Sequence, residues 1–172
     1  MLTVKVANKA SKLIGASVLA WGALGAVSFA QDESQAQSSS QMSHLHDIAQ
    51  QVSPTRIEQD IQTLVNFGTR HTLSETESDT RGIGAARRWI KSEFDKISAQ
   101  CSGCLEVFYQ TEVISGEKRI PNATEVVSVI AIQKGTSDPN RYVLMSGDID
   151  SRVTDVMDFT SDSPGANDNA SG

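Results

Sequence analysis

RYVLMSGDIDSRVTDVMDFTSDSPGANDNASG, residues 141–172, is the stretch on which the reading of this chain turns. A short apolar run, Tyr142 to Met145, lies between Arg141 and Ser146-Gly147, the pattern of a strand buried on both faces. Asp148 and Asp150 follow directly. Residues at i and i+2 of an extended segment point to the same side, so two carboxylates share one small volume at the carboxyl end of a parallel strand. Open α/β sheets bind their ligands there. Carboxylates so placed repel each other, and a bound cation or a raised pKa relieves them. Pro164-Gly165-Ala166-Asn167-Asp168-Asn169 adds further oxygen donors on a turn-forming segment. One reading is a divalent metal site. The other is that Asp148 and Asp150 are solvated loop carboxylates and the later run is only a turn, since Asp, Asn and Gly are what turns are made of.

The pairing of SGDIDSR with PGANDNASG resembles the first metal-binding region of the M28 family of metallo-aminopeptidases, the co-catalytic zinc exopeptidases. In that family the strand end reads His-x-Asp-Ser and the later turn Gly-Ala-Asp-Asp-x-x-Ser-Gly. The resemblance is clearest over residues 141–172 and extends more weakly back to about Pro54. It implies that Asp148 stands where the family has its first metal-binding His, and Asp150 where it has the Asp that orients that His. Asn167 matches the carboxylate that bridges two metals, and Asp168 the Asp after it, beside the site. A carboxamide offers one good metal-binding oxygen and does not bridge as a carboxylate does. Exchanging imidazole for carboxylate shifts preference from zinc toward harder ions, so zinc is implied by the resemblance while Ca²⁺, Mg²⁺ or Mn²⁺ fit the altered positions.

The fold implied is α/β, a three-layer α/β/α sandwich on a mixed, mostly parallel sheet, present only in part. The function implied is that of a secreted, metal-dependent aminopeptidase acting on peptide or protein substrates, hydrolysing N-terminal peptide bonds with a metal-activated water. In the family the remaining ligands and the general base come from later in the sequence. Residues 53–172 therefore read as the N-terminal part of a peptidase domain, expected to be inactive alone. A non-catalytic secreted module holding one hard cation such as Ca²⁺, or an inactive fragment, are the alternatives.

Residues 1–30 read as a secretory signal: Lys5, Lys9 and Lys12 precede an apolar core, Leu13 to Val27, and Ser28-Phe29-Ala30 is a small-x-small cleavage site. The expected location is secreted or periplasmic, with no stable membrane anchor after cleavage. The chain has 15 basic and 21 acidic residues. The leader holds three of the basic ones, leaving 12 against 21, a net −9 that opposes nucleic acid as a partner. Residues 31–52, opening QDESQAQSSSQM, read as a disordered linker, and His44 and His46 on it as solvated. Oligomeric state has no signature here.

Ser53-Pro54 starts a helix, with Ile57, Ile61, Leu64 and Val65 at helical spacing and Gly68 at its end. Thr69-Arg70-His71-Thr72 is a polar loop that matches, by resemblance, a segment the aminopeptidases carry between their first two helices. Ser78-Asp79 is expected to cap a second helix whose apolar face is Ile83, Ala86, Ile90, Phe94 and Ile97, with Arg87-Arg88 on its wet side. Gly82-Ile83-Gly84 lacks a preceding strand and a third glycine, so it is no dinucleotide site. Behind a signal peptide, Cys101 and Cys104 are read as a local disulfide. Leu105 to Val113 alternates as a half-buried strand near a sheet edge, and Val126 to Ile132 reads as a central strand, the two forming a hairpin-like pair. Asn122-Ala123-Thr124 and Asn169-Ala170-Ser171 fit the N-glycosylation pattern but are common by chance.

Overall fold

The computed structural model describes residues 41–171. The signal segment 1–30 and residues 31–40 lie outside the described residues. The chain divides at Val52–Ser53 into two units. In the first, residues 41–50 are helical (α1) and exposed along their whole length, where the sequence pointed to a linker. Met42, Leu45, Ile48 and Val52 lie on it or just past its end, all exposed. Spacings of three and four make a helix of a segment too poor in apolar residues to bury one. His44 and His46 are solvated on it.

The second unit opens with α2, Pro54–Asn66. Its start follows from local chemistry: Ser53 is extended, its side chain accepts from the Arg56 amide at 3.2 Å, and Pro54 brings a fixed φ and no N–H to satisfy. Gly68, at φ +68°, ends it in the left-handed region. Replacing Ser53 by alanine is expected to cost about 1 kcal/mol in urea unfolding, the loss of one cap and nothing else.

The second helix, α3, runs Gly82–Gln100 rather than from Ser78-Asp79. Ser78 turns back on its own loop and accepts from Thr80 N. The first amides of α3 are satisfied from elsewhere: Gly82 N donates to Phe67 O, Ile83 N to the Ser74 hydroxyl and Gly84 N to Glu75 O. A β-carbon on Gly82 would stand 2.9 Å from Glu75 Cβ, and one on Gly84 2.6 Å from Thr76 Cα. The two glycines exist to let residues 75–76 lie against the helix. Arg87 is not on a wet face. It is buried, and burial pushes its guanidinium pKa down against the pull of Glu125 and Tyr109.

After α3, Cys101 and Cys104 are joined by a disulfide, their Cα atoms 5.5 Å apart. Two strands follow, β1 Leu105–Ile114 and β2 Thr124–Gln133, paired antiparallel from Leu105↔Gln133 to Ile114↔Thr124. Among the described residues the sheet has these two strands only. Among the described residues the expected three-layer sandwich on a mostly parallel sheet is not found: they are α/β, with helices and one antiparallel hairpin. β2 has one neighbour and is half-buried, not a central strand.

Tyr142 to Met145, expected as a buried parallel strand, carries no ladder and is 78, 87, 90 and 90 % exposed. A strand exists only where another backbone accepts and donates to it, and no described segment lies alongside this one. The core instead joins Leu64, Ala86 and Ala170, with Ile61, Val65, Phe67, Trp89, Ile90 and Ile149 packed against it. It ties α2 and α3 to the two acidic motifs, through Ile149 and Ala170.

Candidate functional site

The two motifs singled out in the sequence are brought together by backbone. Asn169 N donates to Asp150 O at 3.2 Å, so residue 150 lies against the 167–169 turn. Ala170 N closes that turn on Gly165 O at 2.9 Å. Gly165 takes φ +49°, and a β-carbon there would sit 2.5 Å from Ser151 Cβ. Only glycine lets the two segments approach so closely. The peptide between Asp168 and Asn169 is cis. Ser151, which is buried, donates its hydroxyl to Ser163 O at 2.6 Å and accepts from Arg70 N at 2.9 Å.

Arg70 is the centre of this arrangement, and its weight was not apparent from the sequence. It is 0 % exposed. Its Nε donates to Ile149 O at 2.7 Å, and Nη2 to Gly165 O at 3.0 Å. Nη1 reaches Pro164 O at 2.7 Å, Leu64 O at 2.8 Å and, at 3.4 Å, Gly68 O. Nη1 has two hydrogens, so the longest of its three contacts is the shared one. Leu64 O is one of the last carbonyls of α2, which an arginine at that end of the helix dipole suits. Burial pushes the guanidinium pKa down, and the nearby Asp150 charge opposes that.

His71 is also buried and also occupied. Leu73 N donates to its Nδ1 at 3.0 Å, so Nε2 carries the proton and donates to Val156 O at 3.1 Å. Both nitrogens are used in holding the loop, which removes His71 as a metal ligand. Downstream, Asp158 collects the amides of Thr160 and Ser161 at 3.1 and 2.9 Å. Hydrogen bonds from Ser161, then Thr160, hold its carboxyl well below the usual carboxylate range.

The side chains of Asp148, Asp150, Asn167 and Asp168 all belong to exposed residues. Among the described residues no group of three or more His, Cys, Asp or Glu is placed to hold a metal ion. A hydrolytic metal site takes about three protein ligands and a water. The oxygen donors present fall short of that set, so no chemical step is assigned to them. A pocket of about 480 Å³ lies across the 69–82 loop, bounded by Thr69, Glu75, Arg81 and Phe159 and not by Asp148, Asp150, Asn167 or Asp168. A shallower apolar groove of about 430 Å³ runs along α2 past Ile57, Ile61 and Val65 to Ala166, next to Asn167.

The chain is 50 % identical over 128 residues to a probable zinc metalloprotease of Pyrenophora teres f. teres, covering 74 % of this chain and 26 % of that protein. It is 47 % identical over 125 residues to a probable zinc metalloprotease of Leptosphaeria maculans, covering 73 % and 29 %. A probable zinc metalloprotease of Pyricularia oryzae is 48 % identical over 122 residues, covering 71 % and 24 %. The chain spans about a quarter of the length of the curated relatives it matches. No family model matches the chain, and no solved structure does.

Proposed function

We propose that residues 53–171 form the N-terminal portion of a secreted, zinc-dependent peptidase of the aminopeptidase type, acting on peptide or protein substrates. Asp148 and Asn167 are its metal-ligand positions within this chain, Asp150 orients the first of them, and Asp168 lies beside the site. The observation that carries the reading is identity of 47–50 % to proteins called probable zinc metalloproteases, over a span of 125–128 residues. The hydrogen bond between Asn169 N and Asp150 O supports it, because it holds the two motifs against each other. The remaining donors and the general base are supplied from outside the described residues.

A chimera tests this. Residues 53–171 replace the corresponding segment of the Pyrenophora teres relative, and the protein is assayed with leucine p-nitroanilide and with fluorescent casein, with and without chelator. Chelator-sensitive release from leucine p-nitroanilide is expected, falling by about 100-fold or more in Asp148→Ala. Elemental analysis should find zinc. Casein cleavage alone would reduce the reading to a metallopeptidase that is not an aminopeptidase. Neither activity, with the parent relative active, would overturn it.

A further inference from the structure

We propose that Arg70 is a positioning residue that sets the spacing between the Asp148–Asp150 segment and the Asn167–Asp168 turn. The functional side of this inference rests on the reading of those residues as ligand positions. Arg70 lies on the loop between α2 and α3, 79 residues from Ile149 and 95 from Gly165 in sequence. One guanidinium plane holds both: Nε takes the carbonyl between Asp148 and Asp150, while Nη1 and Nη2 take Pro164 O and Gly165 O, two residues ahead of Asn167. Its own amide adds Ser151, whose hydroxyl runs on to Ser163 O.

The two segments share one other direct backbone bond, Asn169 N to Asp150 O. The partners of the guanidinium are all carbonyls, each fixed in the backbone, so the rigid fork transmits its geometry to the chain and not to movable side chains. A lysine in its place keeps the charge but offers three donors from a single point. It cannot bridge carbonyls arrayed around a plane.

The test uses the full 172-residue chain and Arg70→Lys, followed by amide hydrogen exchange resolved by NMR. In Arg70→Lys, the Asn169 and Ala170 amides should gain in exchange rate about tenfold or more beyond any gain shared by amides inside α3 and the β1–β2 ladder. A uniform rise across the chain would mean that Arg70 only contributes stability, and no change at Asn169 and Ala170 would mean that it positions nothing. Either outcome overturns the proposal.

Mn²⁺ titration of the same samples adds the metal readout. Wild type should show paramagnetic broadening at both Asp148 and Asn167, and Arg70→Lys at Asp148 without Asn167. Absence of broadening in wild type would tell against the ligand reading alone, because the exchange pattern decides the positioning role separately. Broadening at both residues in Arg70→Lys would overturn the positioning role.

Discussion

Gly84→Ala is expected to destabilise the second unit by about 3 kcal/mol or more, although alanine for glycine inside a helix ordinarily gains about 1 kcal/mol. The sign reverses because the new methyl has no room. It would overlap Thr76 O and stand 2.6 Å from Thr76 Cα. These are backbone atoms, which cannot swing away as a side chain would, so residues 74–76 must lift from α3. Lifting them releases the bonds that cap the helix, Ile83 N to the Ser74 hydroxyl and Gly84 N to Glu75 O. Urea unfolding checks this, with Gly135→Ala as control. At Gly135 the nearest atom to a β-carbon is 3.5 Å away, and a change within about 0.5 kcal/mol is expected. A neutral or stabilising Gly84→Ala would show that the 74–76 loop does not rest on α3.

Arg70→Met should cost a similar amount, about 3 kcal/mol or more, for a different reason. Methionine nearly fills the volume of the arginine stem, so the cavity contribution is small. What is lost is donors: Ile149 O, Pro164 O, Leu64 O and Gly165 O are each held at 2.7–3.0 Å by the guanidinium. Leu64 O keeps the Phe67 amide and Gly165 O the Ala170 amide, but Ile149 O and Pro164 O have no second hydrogen bond among the described residues. A buried acceptor left unpaired costs about 1–3 kcal/mol, against which removal of a desolvated charge returns part. The expected result in urea is a lower midpoint with the Asp150 and Gly165 segments loosened first. A loss under about 1 kcal/mol would mean that water reaches those carbonyls as readily as Arg70 does.

Legibility varied from element to element along this chain. The start and end of α2 were readable because Ser53, Pro54 and Gly68 act within one turn of where they stand. The apolar spacing of α3 was readable too, but its first residue was not. Ser78 and Asp79 have the right chemistry for a cap, yet the amides of α3 are taken by Phe67, Ser74 and Glu75, brought there by the fold. Arg87 did leave a signal: it stands four residues after Ile83 and three before Ile90, on the buried face, and its charge masked its position. Arg70 left none. The partners of its guanidinium are main-chain carbonyls, which every residue has, so no pattern of side chains marks them.

By itself the sequence determined the helices of the second unit, the β1–β2 hairpin, the Cys101–Cys104 link and the two acidic motifs. Each depends on spacings of two, three or four residues or on a turn between neighbours, and such interactions are written in adjacent letters. Tertiary structure alone decided that Arg70 holds Ile149 and Pro164-Gly165, that residues 75–76 lie on Gly82 and Gly84, and that Tyr142 to Met145 stands exposed. Those outcomes join residues from 7 to 95 positions apart or require a second strand. An apolar run states what it would bury, and only the presence of a partner backbone decides whether it does.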